Sequence, residues 1–133
     1  SRGQGATLNG KRIRVSSLES FDGALIATGG RDRHLYLEGE TAVQQHLLEY
    51  KSFTRQSGSA SLDLAYIASG RLDGLYLRGL ERWNMAAGVL LVTEAGGLVG
   101  DFEGGANFMK TGNIVAGSPK CFKQLSSVVR KLL

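Results

Sequence analysis

"WNMAAGVLLVTEAGG", residues 83–97, reads as one helix that is apolar almost all round and stops at Gly96 and Gly97. Met85, Val89, Leu90, Leu91 and Val92 leave it no broad polar face, which predicts a helix sandwiched inside the structure rather than lying on top. Two residues stand out at its mouth, the only tryptophan of the chain, Trp83, and the polar amide Asn84 beside it.

Working back towards the N-terminus, "DGLYLR" at 73–78 reads as a strand. Before it comes the helix "SLDLAYIASG", which stops at Gly70, a residue type preferred after a helix end. The turn "SGSAS" and a short strand "SFTRQ" precede that helix. In "ETAVQQHLLEY", residues 40–50, Val43, Leu47 and Tyr50 share one face at i, i+4 and i+7, the pattern of an amphipathic helix. "GALIATGG", 23–30, is an apolar strand running into a glycine-rich loop that carries Arg31, Asp32 and Arg33. At the start, Asn9-Gly10 inside "ATLNGKRIRV" is the signature of a two-residue hairpin turn, since both residues tolerate positive φ.

Working forward, "LVGDF" and "NIVAG" read as strands. A last helix begins near Ser118-Pro119, where serine can cap and proline fits the first turn, and its apolar face is Phe122, Leu125, Val129 and Leu132. Strands alternating with helices predict a layered α/β fold, with a largely parallel or mixed sheet, helices on both faces and an N-terminal β-hairpin. At 133 residues, with no long linker or repeat, one domain spanning 1–133 is expected.

Hydrophobic content of 42% with 21% charged residues is that of a globular chain. No apolar run approaches the roughly 20 residues that cross a bilayer, and the opening "SRGQGATLNGKRIRV" lacks the features of a signal peptide, so a cytoplasmic, non-membrane protein is expected. One cysteine, Cys121, builds no disulfide framework. With only His34 and His46 beside it there is no zinc constellation, so Cys121 is read as a passive helix residue and His46 as a surface or boundary residue. A formal charge of +4 is compatible with nucleic acid, with a phosphorylated substrate or with neither. The basic residues are dispersed, and Lys11, Arg12, Arg14, Arg31 and Arg33 have no interleaved aromatics, which disfavours RNA as a partner.

Of the local chemistry, "QSGSAS" offers free backbone N–H groups, the hydroxyls of Ser57, Ser59 and Ser61, and a helix N-terminus that favours anions; taken alone, the stretch is read first as helix capping. Asp63 and Asp73 sit in apolar segments, where they are expected to satisfy backbone groups or pair with Arg71 or Arg78. Glu94 is expected to serve the local structure of the helix end. The phosphate-loop, hydrolase-elbow and dinucleotide fingerprints are absent from their required contexts.

"GSASLDLAYIASGRLDG", residues 58–74, followed by "WNMAAGVLLVTEAGGLVGDFEGG", residues 83–105, resembles the second half of an inositol monophosphatase, and most closely the bacterial, extragenic suppressor type. The resemblance extends to the opening "RGQGATLNG" and the late "TGNIVAGSP". It implies a magnesium-dependent phosphomonoesterase, in which clustered carboxylates hold Mg²⁺, polarise the phosphate and activate a water, and which often forms homodimers. The family's Asp-Pro-[Ile/Leu]-Asp-Gly-Thr motif and the Glu-Glu pair before it are absent; the one proline is Pro119.

The same resemblance places Gly58, Ser59 and Ala60 against substrate, and Asn84 where the family has a metal-binding aspartate. Leu77 stands where the family often has a glutamate reaching the inositol ring. Asparagine keeps a carbonyl oxygen but no negative charge, so metal affinity is expected to fall. These features predict the C-terminal half of an enzyme, supplying part of the substrate pocket and the dimer surface, inactive alone, with no tightly bound Mg²⁺, a homo-oligomeric state and an inositol phosphate or related phosphomonoester as the ligand of a longer parent. The alternative is a non-catalytic interaction protein, because the bacterial group includes members linked to transcription antitermination through the transcription machinery.

Overall fold

The computed structural model describes residues 6–8, 11–17, 23–30 and 37–133. In chain order the elements are β1 (Ala6–Leu8), β2 (Lys11–Ile13), β3 (Leu25–Gly30), α1 (Leu37–Glu49), β4 (Phe53–Arg55), α2 (Ala60–Ala68), β5 (Gly74–Arg78), α3 (Arg82–Glu94), β6 (Leu98–Gly100), α4 (Phe108–Thr111), β7 (Ile114–Gly117) and α5 (Pro119–Leu132). The first two strands pair antiparallel with Leu8 opposite Lys11, the hairpin expected from the sequence. Its turn residues Asn9 and Gly10, like Arg31, Asp32, Arg33 and His34, lie outside the described residues.

The other strands form one five-stranded sheet in the order β4-β3-β5-β7-β6. Strands β4, β3 and β5 are parallel, whereas β7 runs antiparallel to both β5 and β6. The sheet is therefore mixed, and β5 is the seam between its two halves. Asp73, just before β5, accepts the Leu25 N–H at 2.8 Å, so this carboxylate satisfies a backbone donor as expected.

Side chains of β5 alternate, as a pleated strand requires. Leu75 and Leu77 join a core with Leu64, Ile67 and Ala68 of α2 and Met85 and Val92 of α3. Tyr76 joins a second core on the opposite face with Val43 and Leu47 of α1 and Cys121, Leu125 and Val129 of α5. Arg78 continues that second side, lying over the Phe102 ring at 5.0 Å with its Nε 3.9 Å from Glu40. Helices thus cover both faces.

Four sequence expectations change. The helix through residues 83–97 is not sandwiched: Met85, Val92 and Ala95 are buried, while Trp83 is 78% and Leu90 45% exposed. Its inner face rests on α2, where a Cβ on Gly88 would come 2.5 Å from Leu64 Cδ1, so only glycine permits this approach. The opposite face is uncovered among the described residues, which an all-round apolar pattern cannot reveal. Tyr50 lies beyond the last turn of α1 and is exposed, so the buried face of that helix reduces to Val43 and Leu47. In α5 the buried row is Cys121, Leu125 and Val129, rotated from the expected face; Phe122 is half-buried and Leu132 exposed. Ser118 stands at the N-cap of α5 but makes no side-chain cap bond; its backbone oxygen accepts the Phe122 N–H at 2.7 Å.

Candidate functional site

Strand β5 ends at Arg78, and α2 begins at Ala60 across the adjoining end of the sheet. Ser59 is the N-cap of α2, with extended backbone and an Oγ that accepts the Leu62 N–H at 3.2 Å. Ser57 Oγ accepts the Ser59 N–H at 3.1 Å and donates to Asp63 Oδ1 at 2.7 Å. Gly58 between them has φ +82, with nothing within 4 Å of an added Cβ. Glycine is needed there for backbone conformation, not for space.

This turn forms one wall of a cleft of about 340 Å³. Gly58, Ser59, Ala60 and Asp63 face Gly29, Leu77 and the segment Gly79–Glu81 across it. The far segment is fixed by two bonds, Gly79 N–H to Asn113 Oδ1 at 3.0 Å and Leu80 N–H to the Gly112 carbonyl at 2.8 Å. Thr28, Gly29 and Gln56 belong to the carboxyl ends of β3 and β4, and Leu77 to that of β5. The cleft therefore lies where open α/β sheets bind ligands, beyond the carboxyl ends of parallel strands and at the boundary between β3 and β5, where the strand order reverses.

The cleft gathers three features that are far apart in sequence: the turn Gly58-Ser59-Ala60, the apolar Leu77, and the residues leading into α3. Asn84 is placed by its backbone in the first turn of α3, three residues after the lining residue Glu81. Its side chain lies outside the described residues. The sequence reading did not include Gly29, Gln56, Leu80 or Glu81 in the site. It assigned Asp63 a structural role only, yet that carboxylate also lines the cleft, and it bonds Ser57 rather than Arg71 or Arg78. The signal available for Asp63 was an acid in the first turn of a helix whose N-cap is serine.

Burial raises the Asp63 carboxyl above its ordinary value, against the lowering effects of the Ser57 hydroxyl and the Arg55 charge. Asp101 shows the reverse balance. Burial pulls it upward, but backbone N–H groups of Gly105, Asn107, Glu103 and Gly104 prevail and hold it below its ordinary value. Its Oδ1 accepts from Glu103 at 2.9 Å and Gly105 at 2.7 Å, and its Oδ2 accepts from Asn107 at 2.9 Å. Asp101 thus folds the loop ahead of α4.

The donor set does not suit magnesium. Asp63 and Glu81 are the only carboxylates among the described lining residues, and Asp63 is committed to Ser57. Among the described residues no group of three or more His, Cys, Asp or Glu comes together to hold a metal ion. Mg²⁺ takes near-octahedral oxygen coordination through one or two carboxylates plus waters and substrate phosphate, and a buried carboxyl with a raised pKa is a poor contributor.

The fold is that of solved inositol monophosphatase-type proteins. It matches the extragenic suppressor protein SuhB of Bartonella henselae with a TM-score of 0.91 at 38% identity, covering 100% of this chain and 51% of that one. A sequence model of the inositol monophosphatase family matches residues 1–132, and the chain belongs to that family. It is 49% identical to the Nus factor SuhB of Pseudomonas aeruginosa over 98% of this chain and 49% of that protein. It is 43% identical to the inositol-1-monophosphatase of Rhizobium meliloti, over 98% and 49% respectively. The chain spans about half the length of the curated relatives it matches, which agrees with the C-terminal half indicated by its motifs. No helix among the described residues is long and apolar enough to cross a membrane.

Proposed function

We propose that this chain supplies the substrate-side half of a magnesium-dependent phosphomonoesterase centre, acting on an inositol phosphate or a related phosphomonoester in a longer cytoplasmic, homo-oligomeric protein. The observation that carries this reading is the convergence of Gly58, Ser59 and Ala60 with Leu77 on one cleft at the carboxyl ends of β3, β4 and β5. In this reading the turn holds the organic part of the substrate. Asn84 occupies the edge of the metal site with one neutral oxygen, and the missing carboxylates belong to the half of the fold that relatives carry beyond this span. The 133-residue chain is then inactive alone.

Phosphate release from inositol 1-phosphate tests this, using the purified chain with Mg²⁺, the Asn84→Asp variant, and a chelated control. No turnover by either form supports the incomplete centre. Turnover by the unaltered chain, abolished by chelation, would sink it.

A second reading, a non-catalytic partner of the transcription machinery, is favoured by relatives named as Nus factors. The departures at Asn84 and Leu77 suit a protein relieved of catalysis. Retention of RNA polymerase by the immobilised chain from a bacterial extract, with no phosphatase activity, supports it; absence of the polymerase from the eluate counts against it.

A further inference from the structure

On the far side of the sheet from the cleft, α1 and α5 leave a groove of about 530 Å³ that no part of the proposed phosphatase reading uses. Lys123, Ser127 and Lys131 recur at four-residue spacing along one strip of α5, and Val128 and Leu132 form the adjoining apolar strip. The α1 side is closed by His46 and Tyr50, whose rings are 5.2 Å apart. Among the described residues no carboxylate lines the groove, and α5 contains no acidic residue at all, whereas Lys120 and Arg130 add further exposed cations.

The spacing selects the kind of ligand. Two lysines eight residues apart on a helix stand about 12 Å apart along its axis, too far for one phosphate group to bridge. The same interval separates two carboxylates on a second helix lying alongside. Apolar side chains between those carboxylates would meet Val128 and Leu132, the arrangement of an amphipathic helix in a groove. A nucleic acid strand would match the charge but leave the apolar strip without a complement.

We propose that the α1–α5 groove docks an acidic, amphipathic helical segment of another protein, its carboxylates meeting Lys123 and Lys131 and its apolar side chains meeting Val128 and Leu132. Charge complementarity orients the segment, and the apolar strip holds it.

The test uses a labelled synthetic helical peptide with glutamates eight residues apart and leucines between them, titrated with the 133-residue chain by fluorescence anisotropy. Lys123→Glu combined with Lys131→Glu alters only exposed side chains, and far-UV circular dichroism checks that the fold is kept. The expected result is at least a tenfold loss of affinity in the double variant, recovered with a peptide whose glutamates are replaced by lysine. Val128→Ala weakens binding without changing its salt dependence. Equal binding by the unaltered chain and the double variant overturns the proposal. So does a single-stranded RNA oligonucleotide that binds in a Lys123- and Lys131-dependent manner while the peptide does not bind.

Discussion

The Ser57 hydroxyl donates to Oδ1 of Asp63 across 2.7 Å, tying the turn before α2 to a buried carboxylate in the helix's first turn. Burial favours the protonated form of Asp63, and Ser57 partly offsets that preference. Because the folded pKa lies above the unfolded one, the associated stability is fully present below the unfolded value and is lost as pH rises through the folded value. Ser57→Ala removes the offset and raises the carboxyl further. Denaturation of the variant is expected to show a loss of about 1–2 kcal/mol at neutral pH, and a smaller loss below the ordinary carboxylate range. An equal deficit at both pH values would mean that the hydroxyl acts only on the turn.

Asp101 works in the opposite sense. Its folded pKa is depressed, so its contribution is present above the unfolded value and disappears as pH falls through the folded value. Asp101→Asn exchanges one carboxylate oxygen for a donor that faces backbone N–H groups, and about 2–3 kcal/mol should be lost at pH 7. Urea titrations at successively lower pH should show wild type and variant converging. Parallel curves down to the acid limit would show that the ionised form has no special role in this loop.

Gly88 is set against α2 with no room for a side chain. A methyl there costs about 1–3 kcal/mol through overpacking, while the better helix propensity of alanine returns only about 1 kcal/mol. Gly88→Ala should therefore destabilise. Leu64→Ala alone should cost about 2–5 kcal/mol, and the double variant less than the sum, since each change makes room for the other. Additive losses would place the strain elsewhere than at the Gly88–Leu64 contact.

Local pattern made most of the elements legible. Val43 with Leu47 announces a helix through its period, and the short apolar run after Asp73-Gly74 reads as a buried strand by its length and its flanking turn residues. What stayed hidden depends on neighbours. The direction of β7 relative to β5 leaves no trace in "NIVAG", because a buried strand reads alike in either orientation. The exposed side of α3 was unreadable for a similar reason: Trp83 and Leu90 record an affinity for apolar cover without recording whether cover is present. Helix α4, a single turn over "FMKT", is too short to show a period. The ordering role of Asp101 was signalled only by an acid ahead of Glu103-Gly104-Gly105, a turn composition that marks a loop without saying which group its carboxylate will hold. For the candidate site, the glycine-serine turn was legible from its own hydroxyls and helix N-terminus and Leu77 from motif resemblance, while Asp63 and the Gly79–Glu81 wall emerged only when the sheet brought the strand ends together.

The alternation along β5 separates two chemical environments with a single strand. Leu77 belongs to the cleft side, and its neighbours Tyr76 and Arg78 to the side covered by α1 and α5. A substitution at an odd-numbered position here is felt in one compartment and screened from the other by the thickness of the sheet. Such insulation lets the pocket drift in chemistry without disturbing the helices behind it, so a chain of this architecture can change what it binds on one side while preserving its surface on the other.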